Sequence, residues 1–360
     1  MKKALLIAAL TASCTPAFAQ SSVVLYGIVD AGISFDDNGV NGRQGRLQNG
    51  FLNGSRWGMR GAEDLGGGLK AVFNLEQALS SDTGMENSYA GQPGSTVKGT
   101  GFNRVAYVGL ESGWGSLRLG RDYTPFFNTS VATDNMALGL YGSNLSQIAL
   151  NGGDAENLHR ASNGVYYASP NFAGLTLRAV ISAGAERSSS PKSEGRFRGV
   201  GGQYAKGPVL ISAAYQDVAV LNTAGNDTDL RKDLIVGGSY DFVVARVGGG
   251  YAQVNPPGAS NTASQWWLGG TVPVGRGTIR MQFSRMELDR PGNQTKPQSK
   301  TVGIGYVYPF SRQTAGYVTY GKVWNNSAAS FSLYAAAASL TAGGLGADPN
   351  GFGIGIRKLF

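Results

Sequence analysis

The segment SVVLYGIVDAGISF, Ser22–Phe35, decides how the chain is read. Its odd positions, Val23, Leu25, Gly27, Val29, Ala31, Ile33 and Phe35, are all apolar or glycine, whereas Ser22, Asp30 and Ser34 fall among the even ones. A period of two places those sets on opposite faces of one β-strand. The pattern returns in Leu69–Gln77, where Leu69, Ala71, Phe73 and Leu75 alternate with Lys70, Asn74 and Glu76. It returns again in Leu175–Ala183 and in Thr278–Ser284, where Ile279, Met281 and Phe283 alternate with Arg280, Gln282 and Ser284. Each strand has one apolar and one polar face.

The connections between these runs fall into two classes. Short ones carry the turn-forming residues Gly, Pro and Asn, as at Asp64–Gly68, Ser112–Gly115, Ser169–Asn171, Lys206–Pro208, Pro273–Gly277 and Pro309–Arg312. Long ones, over 36–53, 78–102, 122–162, 184–196, 218–230, 254–263, 288–298 and 324–350, are polar and irregular. Short and long alternate, the pattern of an outer-membrane barrel with short periplasmic turns and long external loops. Sixteen strands of about 10 residues leave enough chain for seven turns and eight long loops. Charged residues make up 15% of the chain, against about 25% in an ordinary soluble domain. The longest purely apolar run, Ala4–Leu10, is seven residues, and a membrane-spanning helix needs about 20. A closed barrel is the sheet that crosses lipid without unpaired backbone groups. The expected fold is all-β: a 16-stranded antiparallel transmembrane β-barrel in one domain, 20–360. A soluble β-sandwich also alternates, but a chain this long would usually divide into domains, and no boundary is visible.

The first nineteen residues read as an export signal. Lys2 and Lys3 form the basic start, Ala4–Leu10 the apolar stretch, and Ala17-Phe18-Ala19 the small-x-small cleavage site. Cleavage there removes Cys14, the single cysteine, and leaves 29 Lys+Arg against 23 Asp+Glu, a net charge of +6. A lipoprotein anchored at Cys14 is the rival reading, and Thr11 in place of a leucine three residues upstream speaks against it.

From Gly54 to Ala71, GSRWGMRGAEDLGGGLKA, the chain resembles a betaproteobacterial general porin of the Gram-negative outer membrane. The resemblance continues in Arg104–Leu110, Gly115–Asp122, Asn163–Gly174 and the closing Gly355–Phe360, and covers essentially all of 20–360. It implies a homotrimer, passive diffusion of ions and small hydrophilic solutes, and a third external loop folded into the lumen. That loop is 122–162, with Asp122, Asp134, Asp154 and Glu156.

Strand parity selects the wall opposite the loop. With Trp57 and Met59 toward lipid, Arg56 and Arg60 face the lumen; with Val105 and Tyr107 outward, Arg104 faces in; with Leu117 and Leu119 outward, Arg118 faces in. Arg160 is in phase with Ser162 and Tyr166. In the resemblance Arg56, Arg104 and Arg160 match motif arginines of the pore eyelet, and loop carboxylates such as Asp122 and Asp134 would complete a transverse field. Arginine suits this place because it stays charged at any relevant pH and is weakly hydrated. A narrow low-dielectric passage focuses such fields, so anion preference is expected. Some of these arginines could instead neutralise loop acids and hold the loop to the wall.

Other signals carry less. His159, the single histidine, lies in a polar loop beside Arg160, so a hydrolase reading has little to use. Asn226–Asp229 reads as a solvated loop tip. No cofactor or metal is expected, and the scattered basic residues make no aromatic-interleaved stripe for nucleic acid. Surface cations suit lipopolysaccharide, and Phe360 would present the chain to the barrel-assembly machinery. Trp57, Tyr107, Tyr167, Trp266, Tyr306 and Phe360 are expected in the interfacial aromatic girdles. A solute-specific organic-acid channel, with saturable binding at the arginines, and a plugged barrel serving as adhesin or scaffold are the alternative functions.

Overall fold

A computed structural model describes residues 22–85, 101–144, 147–148, 158–184, 191–221, 227–255, 262–290, 294–335 and 339–360. The expected export signal, and with it Cys14, lies outside them, as do Asp154, Glu156 and Asn226. The strand series opens with β1 (Ser22–Asp37), β2 (Arg43–Asn49), β3 (Arg56–Gly66), β4 (Leu69–Ala78), β5 (Val105–Ser112) and β6 (Gly115–Tyr123). Helix α1 (Pro125–Thr133) follows, and then β7 (Arg160–Ala168), β8 (Leu175–Ser182), β9 (Phe197–Lys206) and β10 (Val209–Leu221). Strands β11 (Thr228–Asp241), β12 (Arg246–Val254), β13 (Ala263–Val274) and β14 (Gly277–Leu288) continue the meander. It ends with β15 (Gln298–Pro309), β16 (Thr314–Asn325), the short pair β17 (Leu333–Tyr334) and β18 (Ser339–Leu340), and β19 (Asn350–Leu359).

Sequential strands pair antiparallel, and β19 closes the sheet onto β1 from Ile28↔Leu359 to Asp37↔Asn350. The other edge of β1 is shared: Ser22–Ile28 pairs with β3, and Ala31–Asp37 with β2. β2 and β3 thus fill one place in the wall, interrupted at 50–55, and the barrel has sixteen strands. The alternation read in Ser22–Phe35 has its structural counterpart. Val23, Leu25, Val29, Ile33 and Phe35 point outward, while Asp30 and Ser34 are fully buried inside. Phe35 stands opposite Phe352 across the closing seam, where Phe352, Ile354, Ile356 and Phe360 continue the outer face. An outer apolar band against a polar interior is what lipid outside and water inside require.

Several stretches read as loops are partly strand, 324–350 among them with the short pair β17 and β18. Within 36–53, β2 folds back on β1, and 218–230 is taken up by the extension of β10 to Leu221 and the start of β11 at Thr228. Hydrogen bonding between neighbouring strands extends β2 and the ends of β10 and β11 where no apolar alternation marks them.

The third external loop enters the barrel. Thr124 caps α1, its Oγ1 accepting the Phe127 amide at 3.1 Å, and Pro125 begins the helix where a missing N–H costs nothing. The helix packs on β9, β10 and β11, with Thr129 Oγ1 and Ser212 Oγ 2.9 Å apart. Beyond it, 134–144 runs along the wall where β15, β16 and β19 present Gly303, Gly321 and Gly351. A Cβ on Gly303 would stand 1.9 Å from the Tyr141 carbonyl oxygen, so the loop backbone lies directly on the strand. The main apolar cluster accordingly sits inside the barrel and is built on the loop. Met136, Leu140 and Tyr141 pack with Phe51, Leu52 and Tyr317, and Phe51 meets the Tyr141 ring edge-on at 5.3 Å.

Candidate functional site

Three strand starts at the long-loop end of the wall bring their arginines together. Arg56 opens β3, Arg104 directly precedes β5, and Arg160 opens β7. They converge on one carboxylate, Glu76 of β4, and one phenol, Tyr123 at the end of β6. Arg104 Nε donates to Glu76 Oε1 at 2.6 Å, and Arg56 Nε lies 3.9 Å from Glu76 Oε2. A second Arg104 nitrogen donates to Tyr123 Oη at 2.8 Å, and Arg160 donates to the same oxygen at 3.3 Å while its guanidinium lies 4.6 Å above the Tyr123 ring. Tyr123 is held in turn by stacking on Phe127 of α1 at 4.3 Å. The infolded helix therefore fixes the phenol that orients two of the three arginines.

Arg60 lies two inward steps below Arg56, past Gly58, with its guanidinium 5.2 Å from the Tyr26 ring centre. Tyr26 Oη donates to Asn74 at 2.8 Å and reaches Glu76 Oε2 at 3.1 Å, which joins Arg60 to the same network. Arg118 belongs to a separate group nearer the short turns. It pairs with Asp122 at 3.0 Å and Glu111 at 3.2 Å, and lies 4.7 Å over Tyr107. Asp122 is thus a wall residue of β6, and its other oxygen accepts the Tyr123 amide at 2.8 Å.

Asp134 sits elsewhere again. It is the residue after α1, buried, and its carboxylate accepts the amides of Met136 (2.9 Å), Leu138 (2.7 Å) and Asn144 (2.8 Å), with Gln282 Nε2 at 3.3 Å. Burial pushes this carboxyl above its ordinary range, against the pull of those donors and of Arg280. Its contacts make it a knot in the loop. Arg246 and Arg280 support the same turn by donating to the Ala132 and Asn135 carbonyls at 2.8 and 3.0 Å, cations placed at the end of a helix.

Two phase assignments differ from the sequence expectation. Val105 and Tyr107 point inward and Val108 and Leu110 outward, because Val105 is register-paired with Glu76 and Tyr107 with Asn74. Tyr107 therefore leaves the expected girdle and stacks under Arg118, and Arg104 reaches the lumen because it lies before the strand, outside its alternation. In β7 the register slips between Gly120 and Asp122, with Asn163 in the left-handed region at φ 54°. That bulge turns Ser162 out to Arg121 while Tyr166 stays inside, so Arg160 does not share a phase with both.

Glu76, Tyr26 and Tyr123 join the site without a sequence motif to announce them. Glu76 is legible as the one acid on the polar face of Leu69–Gln77. Its role depends on strands distant in sequence. His159 lies at the base of the loop, buried, with its ring 5.4 Å from Phe127 and its carbonyl accepting the Thr124 amide.

The arrangement is a water-facing polar interior, an apolar outside and an infolded loop over a cluster of arginines. Residues 4–328 match the model of the Gram-negative porin family. The chain belongs to that family. It is similar to outer membrane porin protein 32 of Delftia acidovorans, 32% identical over the whole of both chains. It is also similar to an outer membrane porin protein of Bordetella pertussis, 30% identical over 91% of this chain and 95% of that one. Among solved structures, an anion-selective porin from Comamonas acidovorans superposes with a TM-score of 0.78 at 26% identity, covering 95% of this chain and all of that one. OmpT of Vibrio cholerae in its trimer form shares the fold, with a TM-score of 0.67 at 16% identity over 94% and 99% of the two chains. This porin is an outer-membrane protein and a general diffusion channel.

Proposed function

We propose that this porin conducts anions in preference to cations, and that Arg56, Arg104 and Arg160 set the preference. The observation that carries this reading is the gathering of cations: among the described residues, three guanidinium groups and one carboxylate, Glu76, meet in one cluster, Arg56 and Arg104 at Glu76 and Arg160 through Tyr123. The surplus faces a confined aqueous passage between protein walls, where the field of a few charges is focused. Arg60 adds a cation to the same network. Arg118 contributes less, since Asp122 and Glu111 both pair with it. In this reading Asp134 acts by shaping the loop rather than by facing the passing ion. The anion selectivity of the similar Comamonas porin accords with it.

The reading extends to assembly. We take the channel to be a homotrimer in an outer membrane carrying lipopolysaccharide, inserted through the barrel-assembly machinery with Phe360 as the terminal signal. Phe360 closes the seam, its amide and carbonyl both bonded to Gly27, while its ring faces outward. We assign the chain no chemical turnover. In planar bilayers under a potassium chloride gradient, Arg56→Gln with Arg104→Gln should move the reversal potential strongly toward the potassium side. An unchanged potential overturns the assignment.

A further inference from the structure

Below the arginine cluster, on its short-turn side, a cavity of about 230 Å³ opens between α1 and the wall strands β6, β7 and β8. Ser116, Arg118, Asp122, Tyr123, Asn128 and Arg178 are among its lining residues. Tyr123 is common to both places, since its phenol meets Arg104 and Arg160 above. Arg118 is committed to Asp122 and Glu111. Arg178 is different. Among the described residues no hydrogen bond or ion pair engages its guanidinium, although it is half-buried and comes from the inward-facing set of β8. Its fork of donors is therefore offered to the cavity, beside the N-terminal turn of α1, where the helix dipole also favours negative charge.

We propose that this cavity is a second binding station for a small oxyanion, phosphate or carboxylate, with Arg178 as its principal ligand. A guanidinium matches two oxygens of such an anion at once, which neither the helix end nor the Asn128 amide does alone. Of the two lining arginines, Arg118 is balanced by Asp122 and Glu111, so the charge offered to the cavity is that of Arg178. The volume holds a small anion with several waters, at about 30 Å³ per water. The station lies in series with the cluster around Glu76, and conduction through two adjacent sites allows binding without trapping, because the arrival of one ion helps the next to leave. This inference builds on the proposed anion preference, and the test separates the two.

Chloride current through the full-length channel is recorded while inorganic phosphate is added from the short-turn side or from the long-loop side. In Arg178→Gln the apparent Kd for block from the short-turn side should rise about tenfold, the factor expected for one lost charge-assisted pair. Block from the long-loop side should hardly change, and the reversal potential should stay anion-directed. Arg178→Lys, which keeps the charge and loses the fork, should fall between the two. An unchanged Kd in Arg178→Gln overturns the second station whatever the selectivity of the pore. A cation-directed potential in the unsubstituted channel overturns the reading of the arginine cluster and leaves the Kd comparison to decide the station.

Discussion

Glu76 is the residue on which the site turns. It is buried, takes the full contact of Arg104 and shares Arg56 and Tyr26. Removing one partner of a buried ion pair costs about 3–5 kcal/mol, because the other charge is left without compensation. Glu76→Gln should therefore lower the thermal unfolding temperature of the barrel and also increase anion preference, since one negative charge leaves the passage. Thermal scans and reversal potentials on one preparation check both, and a weaker anion preference would count against the charge imbalance. Asp134 makes a different prediction. Its carboxyl lies above its ordinary value in the docked loop, so its contribution to docking is complete below the ordinary carboxylate range and falls as pH rises through the raised value. Open-channel current noise from loop motion should grow with pH in the unsubstituted channel and be flat in Asp134→Asn. Noise that falls with rising pH contradicts this. Asp134 and Asp122 show where the sequence stops being readable. Both are acids of the segment 122–162, yet one ends a wall strand and the other folds into its own backbone. Loop residues have no period to assign them a face.

Strands are legible where one face meets lipid, because the apolar set then has to alternate. Reading fails at strand ends. β5 has Val105 and Tyr107 inward as well as Val108 and Leu110 outward, so composition alone does not choose the phase. In β7 a bulge of one residue reverses the parity between Tyr166 and Ser162. Arg56, Arg104 and Arg160 all stand at such ends, and they come together through pairings that no local pattern encodes. The seat of the infolded loop depends instead on what the wall lacks. At Gly303 a side chain would collide with the Tyr141 carbonyl. Gly303→Val should lift 134–144 from the wall, raising single-channel conductance and weakening anion preference, because Tyr123 loses the fixed α1 behind it. Single-channel steps no larger than those of the unsubstituted channel would show that the loop has another anchor.

At the scale of the whole molecule the barrel separates two tasks. The sheet supplies a closed backbone ladder that lipid tolerates, and its outer face is apolar from Val23 to Phe360. The interior is free to be polar, and its main apolar packing is devoted to holding one loop. The family, the sixteen strands and the outer-membrane location are readable from alternation, turn spacing and the Gly54–Ala71 motif. The position of each charge along the passage is not, since it depends on register between strands far apart in sequence. The central claim is that surplus guanidinium charge around Glu76 selects the ion. The sign of the reversal potential of the purified, unsubstituted channel across a potassium chloride gradient in a planar bilayer tests it most directly. An anion-directed potential is the expected result, and a cation-directed one would contradict the account.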